Sequence, residues 1–180
     1  MFELFFNTEL TNIGTEEKLK HQLWTEIKSV YNEPSRHYHN LSHLDKLIAE
    51  LEAIKNEISN WQTLVFSVAY HDIIYNILKH NNEEESAKFA YEKLTLLNLP
   101  DNQKDICVVQ ILATKNHDIN NNSDTNYFTD ADLSILGAGN DIYKIYTSQI
   151  REEYKYYPDF LYNPGRKKSI KPFLTNAQDL

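Results

Sequence analysis

Cysteine and basic residues are both scarce in this chain. Cys107 is the single cysteine among 180 residues, so it makes no internal disulfide. It stands in the apolar run 106–109, and we expect it to be a small buried side chain. Acidic residues number 26 against 18 lysines and arginines, for a formal net charge of −8. A surface of this charge does not attract a polyanion over a wide area, so no nucleic-acid partner is expected.

Long hydrophobic runs are missing as well. No uninterrupted apolar stretch approaches the ~18 residues of a membrane span. The segment 1–10 carries two acids and no basic leader. These absences favour a cytoplasmic protein with no membrane partner. The length suits one domain with its own hydrophobic core, and we assign residues 1–180 to it.

Glycine and proline are also few, at four and five residues, and the prolines fall where helices would end. Between them, apolar residues recur every three or four positions, which is the spacing of one helix face. No segment shows a convincing strand alternation. The sequence therefore predicts an all-α fold, a compact single-domain helical bundle, with the Asn-rich segment 115–129 as a mobile loop. The predicted helices cover residues 15–30, 41–58, 64–75, 83–98, 101–114, 130–136, 141–157 and 169–174.

The segment 64–75 is apolar on nearly all sides and is predicted to be the centre of the core, yet it contains His71 and Asp72. Burying a carboxylate there is costly without a cation or several hydrogen-bond donors. A metal ion bound by both residues meets that requirement. For an isolated pair, the better explanation is a buried His–Asp hydrogen bond or an ion pair with an arginine, because a dipeptide is a weak motif.

Further candidate ligands lie on either side of this pair in the sequence. His39 and His43 are four residues apart, so on one helix they share a face, with one able to bind metal and the other to face substrate. Asp132 lies at the start of the helix predicted from Asp130. An N-cap role explains Asp130 better than it explains Asp132. The presence of these additional candidate ligands makes a metal site at residues 71–72 a more specific hypothesis than a buried His–Asp pair.

The order His43, His71-Asp72, Asp132 resembles the H…HD…D signature of the HD-domain superfamily of metal-dependent phosphohydrolases, over roughly residues 30–140. Five blocks in order, RHYHNLSH, AYHD, NEEESA, ATKNH and DADLSILG, are similar to a group of small bacterial predicted HD phosphohydrolases whose substrate is not established. The resemblance implies a helical domain of HD type, with a motif-bearing core at about 30–140 and C-terminal helices and a tail at 141–180.

The resemblance also implies the roles of these residues. His43, His71, Asp72 and Asp132 match the metal-ligand positions, and two imidazoles with two carboxylates suit Mn, Fe, Co, Ni, Mg or Zn as the divalent ion. Metal-bound water then attacks a small phosphate ester or a nucleotide, with either aspartate orienting the water. The block from residue 38 to 43 resembles that of cyclic-nucleotide phosphodiesterases, in which the first histidine faces the leaving group. His39 is accordingly the candidate general acid.

Other candidates lie in or beside the five blocks. Glu83 or Glu84 could act as a base or support a ligand, although acids in the first turn of a helix ordinarily complement its dipole. His117 is a candidate for contact with phosphate or a second metal, and a surface loop histidine is the alternative. Tyr38, Tyr70 and Tyr75 are close enough to the motifs to line a pocket that could stack a nucleobase. The cationic candidates for binding phosphate are Arg36, Lys115 and Arg166.

Two other functions stay open at this point. A di-iron oxygenase on an HD scaffold needs more ligands than those named, since only His80 and His117 lie between the HD pair and Asp132. The other is a non-catalytic helical module that binds a metal or a ligand at a closed site. A homo-oligomer is compatible with the sequence.

Overall fold

Asparagine side chains begin three of the helices that build this fold. The side chain of Asn40 accepts a hydrogen bond from the backbone N–H of Ser42. Asn60 and Asn122 likewise accept from the backbone N–H groups of Thr63 and Thr125, in the first turn of the next helix. Each bond satisfies a backbone donor that has no partner inside its own helix. The chain between these caps folds into helices wherever apolar residues recur at helical spacing.

The computed structural model describes the backbone of residues 1–176 and the side chains of residues 1–168, 170 and 171. Within that part every regular element is helical, which confirms the predicted all-α class. None of the described helices is both long and apolar enough to cross a membrane. The helices are α1 (Phe2–Asn12), α2 (Glu17–Tyr31), α3 (Leu41–Ala53), α4 (Trp61–Tyr70), α5 (Asn82–Leu96), α6 (Asp101–Ala113), α7 (Ser123–Leu133), α8 (Asn140–Glu153) and α9 (Asp159–Asn176), with short 3₁₀ turns at Lys55–Glu57 and Ser134–Gly137.

Helix α4 lies at the centre of the core. All its residues from Thr63 to Tyr70 are buried, and it contacts α1, α3, α5, α6 and α7. Phe6 of α1 packs edge-on against both Phe66 and Tyr70, with ring centroids 5.9 and 6.2 Å apart. This arrangement confirms the predicted position of the helix, and Cys107 is buried in the same core as expected. The predicted place of Tyr70 in a substrate pocket is wrong, because its ring is completely buried.

A smaller apolar cluster forms where α8 packs near the start of α3. Its buried members are Tyr38, Tyr146 and Ile150, and several half-buried tyrosines surround them. Tyr38 and Tyr146 pack edge-to-face with ring centroids 4.6 Å apart. This cluster joins the C-terminal helices to the side of the bundle that carries the histidines.

Several helices differ from the prediction. Helix α1 was not predicted, and α9 is longer than the predicted 169–174. Helices α3, α4 and α8 end early, at Ala53, Tyr70 and Glu153 instead of residues 58, 75 and 157. Residues 123–129 belong to α7 and not to a loop, so Asp130 lies inside a helix and its predicted N-cap role is wrong. The predicted C-terminal tail runs to residue 180, and residues 177–180 lie outside the described part.

Candidate metal centre

Three helices bring two histidines and an aspartate together. His43 lies in the first turn of α3, His71 follows the last residue of α4, and Asp132 lies near the end of α7. The Nε2 atom of His43 is 3.1 Å from Asp132 Oδ1 and 3.2 Å from the Nε2 atom of His71. One potential ligand atom from each residue lies within 4.8 Å of the others, so the three could hold a metal ion.

Asp72 joins this cluster from the turn after α4. Its Oδ2 atom is 3.1 Å from His71 Nε2 and 4.0 Å from His43 Nε2. Successive residues of a helix point about 100° apart. His71 caps α4 with helical backbone angles, so the two side chains approach the cluster from different sides of the helix end. The structure thus brings together all four residues that the sequence predicts as ligands.

The hydrogen bonds of His71 leave one ring nitrogen available to a cation. Its Nδ1 atom lies 3.0 Å from the carbonyl oxygen of Val68, which can only accept, so Nδ1 carries a proton. In the neutral ring, the lone pair of Nε2 then faces His43 and the two aspartates. Fixing of one imidazole nitrogen by a carbonyl is the usual way in which proteins orient a metal-binding histidine. The donor set of two imidazoles and two carboxylates therefore fits a divalent transition metal or Mg²⁺.

Both carboxylates of the cluster are ionised at neutral pH. Burial raises the pKa of Asp72 and of Asp132, but the neighbouring imidazoles outweigh it and hold both pKa values below the ordinary range. Burial also lowers the pKa of His43 below its ordinary value. For His71 the two carboxylates outweigh burial and raise the pKa to about 9. A proton on His71 therefore occupies the metal-free cluster, and a metal ion must displace it.

The cluster opens onto a cleft of about 650 Å³ through its carboxylates. The side chains of Asp72 and Asp132 are 19% and 16% exposed and line the cleft, whereas those of His43 and His71 are 3% and 1% exposed. The imidazoles thus form the buried floor of the site, and a ligand in the cleft can approach from the carboxylate side. Positively charged side chains on the cleft wall are Lys79, Lys115, Arg166 and Lys168.

His39 also lines the cleft, and a buried carboxylate that the sequence did not reveal holds its ring. Glu153, the last residue of α8, accepts hydrogen bonds from His39 Nδ1 at 2.7 Å, from Tyr75 Oη at 2.9 Å, and from the backbone N–H groups of Tyr38 and His39 at 2.7 and 3.0 Å. Burial raises the pKa of Glu153, but His39 and the backbone donors outweigh it and lower the pKa to about 2. Glu153 thus fixes the proton of His39 on Nδ1.

The position of His39 differs from the prediction. Helix α3 begins at Leu41, so His39 precedes it and does not share a helical face with His43. The ring of His39 packs instead against Tyr75, with centroids 4.3 Å apart and planes 32° apart. Burial lowers the pKa of His39, but Asp72 and Glu153 outweigh it and raise the pKa above the ordinary 6.5. His39 therefore retains a proton more readily than an isolated histidine.

His117 and Arg166, two of the residues predicted to contact substrate, lie in the cleft wall. The Nε2 atom of His117 is 3.1 Å from Oδ2 of Asp132, the oxygen turned away from His43. Arg166 donates to the hydroxyl of Tyr146, and its guanidinium lies 5.0 Å from the centre of that ring. His117 is thus held at the ligand cluster, and Arg166 is held at the tyrosine side of the cleft.

Lys115 and the two glutamates of NEEESA form a separate group at the edge of the cleft. Lys115 pairs with Glu84, lies 4.0 Å from Glu83, and donates to the carbonyl of His80 at 2.9 Å. Glu83 lines the cleft, while Glu84 is more exposed and lies outside its wall. A dipole-complementing role in the first turn of α5 accounts for Glu84, and Glu83 is the better placed of the two to act on a ligand.

Arg36 supports the turn after α4 and does not line the cleft. Its guanidinium is buried and donates to the carbonyls of Asp72 and Ile73 at 2.7 and 3.1 Å. It lies over the rings of Tyr31 and Tyr75, at 5.0 and 5.5 Å from their centres. These contacts assign Arg36 to holding Asp72 in place rather than to the predicted contact with substrate.

Among the described residues, one group of three potential ligands from histidine, cysteine and acidic side chains is present, namely His43, His71 and Asp132. Comparisons of the chain with protein families, with curated proteins and with solved structures found no significant match.

Proposed function

We propose that this protein is a metal-dependent phosphohydrolase of the HD type that acts on a small phosphate ester. The observation that carries the proposal is the cluster of His43, His71 and Asp132, with Asp72 beside it, at the floor of an open cleft. Structural metal sites are closed by protein ligands, whereas catalytic sites keep a position for substrate. In this site the carboxylates of Asp72 and Asp132 face an open cleft, which leaves room for a substrate beside the ligands.

The four side chains would hold one divalent ion, with Mn, Fe, Co, Ni, Mg and Zn all compatible with the donor set. The chemistry that such an ion supplies when bound is acidification of a water molecule and polarisation of a phosphoryl oxygen. The imidazoles of His43 and His71 supply neutral nitrogen donors once the proton on His71 leaves. The aspartates orient the nucleophile from the cleft side and balance the charge of the ion.

His39 is the proton donor for the leaving oxygen in this proposal. Glu153 holds its Nδ1 and supports the charged imidazolium, while the ring itself lies in the cleft wall. A general acid must carry its proton before the reaction, and the raised pKa of His39 favours the protonated ring. Lys79 and Arg166 line the same wall, where their positive charge would attract phosphate oxygens.

The two alternative functions find less support in the geometry. A di-iron oxygenase requires a second set of ligands, and His117 is the additional imidazole that the described residues bring to Asp132. A non-catalytic metal module requires closed coordination, whereas two carboxylates of this cluster line a cleft.

Metal analysis combined with a hydrolysis screen tests the proposal. Wild type, Asp72→Ala, Asp132→Ala and the exposed control Glu52→Ala are each loaded with Mn²⁺ and assayed on phosphate esters and nucleotides. We expect about one bound ion and hydrolysis in wild type and control, and loss of both in the two aspartate variants. Metal binding and hydrolysis that survive Asp132→Ala refute the ligand assignment. Bound iron with oxygen-dependent turnover supports the oxygenase instead.

A further inference from the structure

A second cavity, of about 450 Å³, adjoins the cleft. The two spaces share part of their walls, including His39, Tyr75, Tyr146 and Arg166. The two spaces therefore border each other at these residues, and the ligand cluster lies on the cleft side. A volume of this size lies within the range of about 300–1,000 Å³ that is typical of small-molecule sites.

The second cavity differs from the cleft in the chemistry of its walls. The residues that line it and not the cleft are apolar or aromatic: Ile77, Ile150, Tyr157, Leu161 and Tyr162. We call this space the tyrosine chamber. The cleft, by contrast, is lined by the acidic and basic side chains around Asp72 and Asp132. Basic side chains, among them Lys79 and Arg166, line both spaces, whereas the two carboxylates line the cleft and the additional residues of the chamber are apolar or aromatic.

Hydrogen bonds and ring contacts hold the walls of the tyrosine chamber. The hydroxyl of Tyr157 donates to the carbonyl of Ile77 at 3.1 Å, which ties the segment between α8 and α9 to the loop before α5. Arg151 donates to the carbonyls of Tyr154 and Tyr157 at 2.8 and 3.2 Å, and its guanidinium lies 4.9 Å from the centre of the Tyr162 ring. The chamber is therefore preformed, so a ligand does not have to order these side chains.

His39 lies where the two spaces meet, since its ring lines both. In the proposed reaction the phosphorus lies on the metal side of His39, and the oxygen that His39 protonates belongs to the leaving group. The rest of the leaving group then extends away from the ligand cluster. The tyrosine chamber is the space that lies in that direction.

We propose that the tyrosine chamber binds the leaving group of the substrate, and that this group ends in a flat aromatic ring system. The inference rests on the proposed function and specifies its substrate class. Tyrosine faces and edges bind planar rings by stacking and edge contacts. In this proposal the charged phosphate lies in the cleft and the flat ring lies in the adjoining chamber.

Two pairs of probes test the inference on the Mn²⁺-loaded protein. The first pair, 2-(1-naphthyl)ethyl phosphate and n-propyl phosphate, has the same primary alkyl leaving oxygen but differs in the ring. The second pair consists of the matching phosphonates, which cannot be hydrolysed and report binding by titration calorimetry. We expect the naphthyl member of each pair to be favoured by roughly ten-fold or more, in kcat/KM and in Kd, as for one stacked ring.

Variants of the chamber wall connect the preference to these residues. Tyr162→Ala removes one ring, and Leu161→Trp narrows the chamber without removing a buried contact. Both are expected to reduce the naphthyl preference toward one. Tyr156→Ala is the matched control, because that tyrosine is 80% exposed and lines neither space.

The outcomes separate this inference from the proposed function. Hydrolysis of both esters with no naphthyl preference overturns the chamber as the leaving-group site while leaving the proposed function intact. Preferential phosphonate binding that Leu161→Trp abolishes, with no hydrolysis of either ester, supports the chamber and refutes the phosphohydrolase. A naphthyl preference unchanged in both chamber variants also overturns the inference.

Discussion

Replacement of Glu153 by glutamine tests the one part of the site that the sequence did not predict. One carboxylate oxygen accepts from two backbone N–H groups, and the other accepts from His39 Nδ1 and Tyr75 Oη. A glutamine has nearly the same size but only one acceptor oxygen. Its N–H₂ group must therefore face either the two backbone N–H groups or the pair formed by His39 Nδ1 and Tyr75 Oη, and all of these groups donate to the carboxylate in wild type. Glu153→Gln therefore breaks about half of these bonds and removes the charge that supports the His39 imidazolium.

The magnitude follows from the pKa of the carboxyl group. Folding lowers the pKa of Glu153 from 4.5 to about 2, and each unit is worth about 1.4 kcal/mol, so ionised Glu153 stabilises the fold by about 3 kcal/mol at neutral pH. A lowered pKa stabilises the folded state above about pH 4.5, and this contribution is lost as the pH falls toward 2. We therefore expect Glu153→Gln to lower the free energy of unfolding by about 1–3 kcal/mol at pH 7 and by about half as much near pH 3.

Urea unfolding of wild type, Glu153→Gln and the exposed control Glu152→Gln at both pH values measures the difference. NMR titration of the histidine ring nitrogens adds a second readout, because loss of the charge lowers the pKa of His39. In the proposed reaction His39 must hold a proton, so the alkaline fall of kcat/KM moves to lower pH in Glu153→Gln. Equal destabilisation at pH 3 and pH 7, together with an unchanged His39 pKa, refutes the reasoning.

Three further predictions concern the surroundings of the site. The carboxylate of Asp124 accepts from the backbone N–H groups of Ser59 and Asn60 at 2.9 and 2.7 Å. Asp124→Ala should therefore lower the free energy of unfolding in urea by about 1–3 kcal/mol, and a variant as stable as wild type contradicts this prediction. Arg36→Lys keeps the charge but loses the forked contact to the turn after α4, so bound metal measured by elemental analysis should fall. Excess Mn²⁺, at about 100 times its Kd, should stabilise wild type by roughly 2.7 kcal/mol in melting experiments and leave Asp132→Ala unchanged.

The four predicted ligands could be found from the sequence because their order and residue types form a recognisable signature. Glu153 could not, because it stands in the charged run 151–153 of a tyrosine-rich helix, where a glutamate is ordinarily solvated. Its partners Tyr38 and His39 are 115 and 114 residues away in the chain. Only the packing of α8 against the start of α3 reveals the contact.

The end of α4 shows why helix boundaries depend on distant contacts. Ile73 and Ile74 continue the apolar pattern beyond Tyr70, so the sequence predicts a helix to residue 75. The guanidinium of Arg36 instead binds the carbonyl oxygens of residues 72 and 73, which offers them a partner outside the helix. Residues 72 and 73 thus follow α4 as a turn held by Arg36, and the candidate ligands His71 and Asp72 lie at this end of the helix.

Helices α1 and α7 were missed for different reasons. In α1 the buried residues Phe2, Phe6 and Leu10 recur every four positions, which is a helical signal that the prediction did not use. In α7 the buried residues are Asp124, Thr125, Phe128 and Thr129, of which only Phe128 is apolar. No apolar period therefore marks this helix in the sequence. That polar helix nevertheless carries a predicted ligand, because Asp132 follows Phe128 by one helical turn and lies on the same side.

The division of the site between two parts of the chain has a consequence for specificity. The candidate metal ligands come from α3, α7 and the end of α4, whereas Glu153 and most walls of the tyrosine chamber come from α8, α9 and the segment between them. On the proposed function, the first part determines whether a phosphate ester is hydrolysed, and the second determines which ester is accepted. Substitutions in the chamber wall can then change the preferred leaving group while leaving the ligand cluster as it is. His39 connects the two parts, because its proton is held by α8 and its ring lies in the wall of both cavities.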